Sequence, residues 1–125
     1  MSEAFPCVCC GHLTMGEPPG SYEICSVCFW EDDQVQLRSP DSALGANRVT
    51  LIQAQQNYLA YGACDQAARK YVRPPQEDEP LERGWRPIDL ARDVFEEPGD
   101  TTRGWIADGT ILYWWRPTYW KADRA

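Results

Sequence analysis

The only sustained helical period in the chain runs from 50 to 61. Leu51, Ala54, Tyr58 and Tyr61 recur at the spacing that puts apolar side chains on one face of an α-helix. Thr50 stands at the N-cap with Gln53 three residues on, the two ends of a capping box. Gly62 follows as the residue that takes a left-handed conformation at a helix end. Elsewhere the apolar positions come in short runs. His12-Leu13-Thr14 and Ser21-Tyr22-Glu23-Ile24 are strand-like and flank the Gly/Pro-dense turn Gly16-Glu17-Pro18-Pro19-Gly20, so a hairpin joining these two runs is expected. Phe29 to Asn47 reads as loop. Asp65 is placed to cap a short helix reaching Tyr71, which Pro74-Pro75 terminates. A polar connector follows at 74–80, and then a turn or two of helix from Ile88 to Phe95.

The last part of the chain is aromatic. Asp108-Gly109 is a strong hairpin-turn dipeptide, and it lies between Gly104-Trp105-Ile106-Ala107 and Thr110-Ile111-Leu112-Tyr113-Trp114-Trp115-Arg116. A Trp-rich hairpin over 103–120 is therefore expected. Trp105, Trp114, Trp115 and Trp120 carry too much apolar area to leave in water, so this segment is expected to pack on the rest of the chain. The resulting fold class is a small α+β protein: a zinc-ribbon-like N-terminal module over 5–64 with the helix 50–61, then an extension over 65–125 ending in a C-terminal β-hairpin.

Composition sharpens this picture at two points. The chain has 125 residues and a formal net charge of −7, and before position 65 the acids Glu3, Glu17, Glu23, Glu31, Asp32, Asp33 and Asp41 face only Arg38 and Arg48. Such a balance repels phosphate at long range, which makes nucleic acid an unlikely partner and favours a protein partner or plain solubility. The opening Met1 to Pro6 has neither a basic start nor an apolar run, and no stretch approaches a membrane-spanning length. The expected setting is the cytoplasm, where thiols stay reduced and paired cysteines act as metal ligands.

Six cysteines is the second point. Four of them form Cys7-x-x-Cys10 and Cys25-x-x-Cys28, with fourteen residues between the pairs. A Cys-x-x-Cys turn directs two sulfurs at one ion, and four thiolates suit tetrahedral zinc. Gly11, directly after the first pair, supplies the positive φ such a turn needs. One zinc per chain is expected, with iron the rival because soft thiolates suit both metals. Four thiolates close the coordination shell, as in structural and not catalytic zinc sites.

Cys9 and Cys64 are extra thiols outside this spacing and read as small buried hydrophobes. Cys9 is an alternative to Cys10 as a ligand but lacks a following Gly. His12, the single histidine, sits beside the knuckle without a role as ligand. Trp30, Glu31, Asp32 and Asp33 form an aromatic and acidic run suited either to a partner contact or to a solvated turn.

These residues resemble a bacterial family, the cysteine-rich CPCC proteins. The resemblance rests on Cys7-Val8-Cys9-Cys10-Gly11, on Pro18-Pro19-Gly20-Ser21-Tyr22-Glu23-Ile24-Cys25, and on Val27-Cys28-Phe29-Trp30-Glu31-Asp32-Asp33. It continues through Gly45-Ala46-Asn47, Leu51 to Tyr61 and Gly62-Ala63-Cys64. Val8 departs from it, standing where the family has its second-position Pro; Pro supplies no ligand, so the metal assignment is unaffected. The resemblance implies a small metal-ribbon-like accessory protein with no established reaction, and it makes Cys9 and Cys64 part of the family pattern. The function expected is a zinc-stabilised, non-enzymatic protein-interaction module, in its specific form an inhibitor or immunity-type accessory protein. The alternatives are a nucleic-acid-binding zinc ribbon, or a thiol or iron redox protein.

Overall fold

Thr50 and Gly62 bound the main helix as their chemistry requires. In the computed structural model, whose described residues are 4–43, 45–95 and 106–121, this helix spans Leu51–Tyr61. The Thr50 hydroxyl accepts from the Gln53 N–H, and Gly62 adopts φ 84° with its N–H bonded to the Tyr58 carbonyl. Leu51, Ala54 and Gln55 face inward. The other elements are short: β1 (Phe5–Pro6), β2 (Leu13–Met15), α1 (Gln34–Arg38), and two 3-10 helices at Ala67–Tyr71 and Gly109–Leu112. We call the long helix α2.

The expected hairpin between 12–14 and 21–24 is replaced by two smaller ones. β2 pairs antiparallel with β1, in register Phe5 with Met15 and Pro6 with Leu13. Ile24 bridges Glu31. Each Cys-x-x-Cys turn is thus the tip of its own hairpin, and the Pro/Gly-rich run 16–20 links the two. The carboxylate of Asp32 holds that link, accepting from the N–H groups of Gly20 and Ser21 and from the Ser21 hydroxyl.

α1 lies where a loop was expected. Asp33 is its N-cap, Oδ1 accepting from Val35 N–H at 2.8 Å, while Oδ2 accepts from Ala46 N–H at 2.7 Å. Buried Gln36 bonds Val49 and Asn47, so one amide side chain pins the return loop that leads into α2. Five residues were too few to show a helical period. Asp65 does cap the turn that follows α2, accepting from Ala68 N–H at 2.8 Å, but the segment to Tyr71 is 3-10 and not α. Over 88–95 the chain makes a single turn gathered by Asp89, whose carbonyl accepts from Arg92 and Asp93.

No hairpin forms over the described part of 103–120; residues 103–105 lie outside the described residues. Gly109 does not have the positive φ that a two-residue type I′ turn demands. Instead Asp108 accepts from Thr110 N–H and caps a 3-10 turn. The glycine is needed for a different reason: a Cβ there would lie 2.9 Å from Pro19 Cγ, so its absence lets the turn seat against the Pro18-Pro19 link.

The second half of the chain folds back over the first. The connector at 74–80 is held by the Arg73–Glu79 ion pair, and its Pro80 carbonyl accepts from Leu13 N–H at 2.9 Å. Glu82 N–H donates to the Gly11 carbonyl at 2.8 Å. Buried Gln55 on α2 donates to the Val8 carbonyl and accepts from Ile88 N–H, so one side chain ties helix, knuckle and extension together. Trp85, Trp114 and Trp115 form a mutual edge-to-face cluster with centroids 4.7 to 5.2 Å apart. Truncation after Pro80 should therefore expose the first knuckle and lower the unfolding midpoint in urea sharply. A truncated chain as stable as the full one, followed by far-UV dichroism, would show that these contacts contribute nothing.

Candidate metal centre

The two knuckles are built to one plan. In the first, Gly11 N–H donates to the Cys7 carbonyl (2.7 Å) and Cys7 N–H to the His12 carbonyl (2.9 Å). In the second, Phe29 N–H donates to the Cys25 carbonyl (2.8 Å) and Cys25 N–H to the Trp30 carbonyl (2.9 Å). The fourth residue after the leading cysteine is left-handed in both, at φ 81° for Gly11 and 72° for Phe29. Phe29 accepts a conformation that disfavours side chains, and its ring stacks on Tyr71 with centroids 5.0 Å apart. The offset of four residues, legible at Gly11, also marks Phe29; a bulky side chain there concealed it.

This plan brings Cys7, Cys10, Cys25 and Cys28 together. Their sulfurs all lie within 4.8 Å of one another, and all four residues are buried. Cys7 Sγ is 3.6 Å from Cys28 Sγ, and Cys10 Sγ is 3.8 Å from Cys25 Sγ. A tetrahedron with metal–sulfur bonds of about 2.3 Å has edges of about 3.8 Å. The spacing is thus that of a metal shell, and every cysteine is free of disulfide bonding. The four cysteines form a cluster able to hold one metal ion, and zinc fits both the donors and the spacing.

The electrostatics of the bare thiols point the same way. Burial pushes Cys7 and Cys28 well above the usual thiol range. The hydrogen bond between Cys10 and Cys25 pushes Cys10 up and holds Cys25 far down. One sulfur takes the charge first and the others keep their protons, because four thiolates cannot share this space uncompensated. A dication removes that conflict. The Thr14 hydroxyl, on β2, donates to Cys25 Sγ at 3.1 Å and supports the charged sulfur.

Cys9 and Cys64 stay outside the cluster, both 2 % exposed. Cys64 N–H donates to the Cys28 carbonyl at 2.8 Å, so this residue braces the second knuckle through its backbone. Burial, with Cys9 nearby, pushes the Cys64 thiol up to about 12, which keeps it protonated and unreactive at neutral pH. The His12 ring bonds the Glu79 carbonyl through Nδ1 at 2.8 Å, pinning the extension to the knuckle.

The run from Trp30 to Asp33 does not present a joint surface. Trp30 is fully buried, and its Nε1 finds no acceptor among the described residues. Asp32 and Asp33 are 4 % and 3 % exposed and hold the link and α1 from inside, as described above. Burial raises the Asp32 carboxyl above its ordinary range despite the donors from Ser21 and Gly20. Only Glu31 keeps part of its side chain at the surface. A Trp beside acids looks like an interface in sequence; here the hairpin of the second knuckle turns the ring into the core.

The family model described as cysteine-rich CPCC covers residues 5–79, which includes both knuckles, α1, α2 and the Ala67–Tyr71 turn. No curated protein matches the chain.

Proposed function

The chain belongs to the cysteine-rich CPCC family, and we propose that it is a zinc-stabilised, non-enzymatic protein-interaction module of the bacterial cytoplasm, serving as an inhibitor or immunity-type accessory protein. The observation that carries the zinc reading is the buried four-sulfur cluster. Its four donors complete the shell and leave no position for substrate, which supports a structural ion. The histidine ring is bonded to the Glu79 carbonyl and the Cys64 thiol is buried with its pKa raised, which weighs against acid–base or thiol chemistry. No helix among the described residues is long and apolar enough to cross a membrane.

A protein partner is supported by apolar side chains left at the surface beside the second knuckle. Tyr22 is 58 %, Ile24 50 % and Val35 53 % exposed, on the Ile24–Glu31 hairpin and on α1. Tyr22 also holds a left-handed backbone at φ 63°, an unfavourable conformation retained in a tight turn. The net charge of −7 favours a basic partner face. Co-purification from the native host with mass spectrometry tests this, paired with Ile24→Asp and Val35→Asp. Both variants should keep their metal and lose the partner; a partner retained by both would remove this face from the reading.

The competing nucleic-acid reading has a clear test. At physiological salt the protein should show no duplex DNA binding tighter than about 100 μM, the weak end of non-specific affinities. Micromolar binding with a steep salt slope in fluorescence anisotropy would reverse the order of the two readings.

A further inference from the structure

The two knuckle hairpins differ at one of their edges. In the first, Pro6 directly precedes Cys7 and pairs with Leu13. In the second, Ile24 directly precedes Cys25 and bridges Glu31. Each hairpin thus has a leading strand, ending at Pro6 or Ile24, and a return strand, carrying Leu13 or Glu31.

Both return strands are closed on their outer side. Leu13 N–H donates to the Pro80 carbonyl and Glu82 N–H to the Gly11 carbonyl, so Pro80-Leu81-Glu82 lies antiparallel along the first hairpin, with Leu81 bridging His12. At the counterpart position, Glu31 N–H donates to Asn47 Oδ1 at 2.9 Å, and Asn47 Nδ2 donates to the Glu31 carbonyl at 2.8 Å. One amide side chain there stands in for a neighbouring strand. The leading strand of the first hairpin is blunted in another way: Pro6 has no N–H to offer.

The leading strand of the second hairpin has none of these devices. Cys25 N–H donates to the Trp30 carbonyl, and Asp32 N–H to the Glu23 carbonyl. Those bonds make Ile24 and Glu31 a non-hydrogen-bonded pair, whose own N–H and C=O groups point away from each other. The Glu31 groups meet Asn47. Those of Ile24 bond no described residue, and its side chain is half exposed.

We infer that this edge takes up an extended segment of the protein partner, which adds along Ile24 as Pro80-Leu81-Glu82 adds along the first hairpin. The inference rests on the partner face proposed above and names how that face is bound. Charge selects the segment. Glu31 stands across from Ile24 and Glu23 directly before it, in a half of the chain where seven acids face two arginines. The complementary segment carries basic side chains alternating with apolar ones.

The probe is a capped heptapeptide of alternating lysine and valine, titrated into the full metal-loaded chain and followed by backbone amide shifts and hydrogen exchange. It should saturate with Kd below about 1 mM, and the bound Ile24 amide should exchange about tenfold more slowly or less. A peptide with glutamate for lysine should bind at least about tenfold more weakly. The decisive variant is Ile24→Pro. It copies Pro6, removes an N–H that bonds nothing in the free chain, and should keep about one metal ion per chain. Its affinity for the lysine peptide should fall about tenfold or more. Shifts at Tyr22 and Val35 with unchanged exchange at Ile24, or equal affinity in Ile24→Pro, overturn strand addition and leave the face. Equal binding of the glutamate peptide, or no shift at the edge up to about 10 mM lysine peptide, overturns the inference as well; the face itself is judged separately by co-purification with Ile24→Asp and Val35→Asp. A parent chain that sediments as a dimer while Ile24→Pro sediments as a monomer would give the edge to a second copy and overturn a foreign segment.

Discussion

Replacing any one of Cys7, Cys10, Cys25 or Cys28 with Ser should release the metal and unfold the first half of the chain. Zinc content should fall from one ion per chain to well below it, as read by elemental analysis of the purified variants. The energetic reason lies in how little else orders this region. β1 and β2 span two and three residues, and the second hairpin rests on one bridge. Isolated hairpins of that size are marginal in water, whereas structural zinc contributes on the order of 10 kcal/mol or more to small domains. A Ser variant loses a strong donor and leaves three buried sulfurs competing for protons. Cys9→Ser and Cys64→Ser should keep about one ion per chain, because their sulfurs lie outside the cluster, while losing roughly 1 to 2 kcal/mol for a buried hydroxyl. Loss of metal in Cys9→Ser with retention in Cys10→Ser would mean that the ligand in the first knuckle is misassigned. A visible absorption band in the parent protein would identify iron in place of zinc.

What the chain discloses before folding depends on how local the signal is. The helix Leu51–Tyr61 carries its cap, its period and its stop within thirteen residues, and all three appear, although the capping box is only half closed: Thr50 caps the Gln53 N–H while the Gln53 side chain turns to Asn57. The cysteine pairs are local too, and their convergence follows from the turn each pair makes. The misreadings share a different cause. Asp108-Gly109 and the run from Trp30 to Asp33 have meanings set by distant neighbours. Pro19 lies ninety residues before Gly109, and it is Pro19 that requires a residue without a side chain there. Asp32 and Asp33 look like solvated acids until Gly20, Ser21 and Ala46 supply the N–H groups they accept from. α1 hides because five residues hold less than two helical turns. Gln55 hides because a polar residue on an apolar face gives no sign that it will bridge Val8 and Ile88. Phe29 was open to detection, since it repeats Gly11 at the same offset from its cysteine.

Gly11→Ala should be strongly destabilising for a single added methyl, because two constraints meet at that residue. Its φ of 81° is left-handed, where a Cβ costs about 1 kcal/mol. Its missing side chain is also the seat of Trp85: a Cβ there would lie 2.4 to 2.6 Å from three atoms of the indole ring. Trp85 yields only by disturbing its edge-to-face contacts with Trp114 and Trp115. Pushing it away would pull Glu82 off the Gly11 carbonyl and disturb the Arg116–Glu82 ion pair beyond it. Overpacking of this kind adds about 1 to 3 kcal/mol, so a total of about 3 kcal/mol is expected in urea unfolding followed by tryptophan fluorescence. Gly84→Ala is the internal control. Its φ is 82°, yet a Cβ there meets nothing within 4 Å, so only the backbone cost of about 1 kcal/mol remains. A double-mutant cycle separates the two effects at Gly11. In a Trp85→Ala background the clash disappears and the backbone cost stays, so Gly11→Ala should then cost no more than Gly84→Ala. If Gly11→Ala matches Gly84→Ala in the parent chain as well, Trp85 does not seat on the first knuckle in solution. The extension would then be held there by the Leu13, His12 and Gln55 hydrogen bonds and by the seat of Gly109 on Pro19.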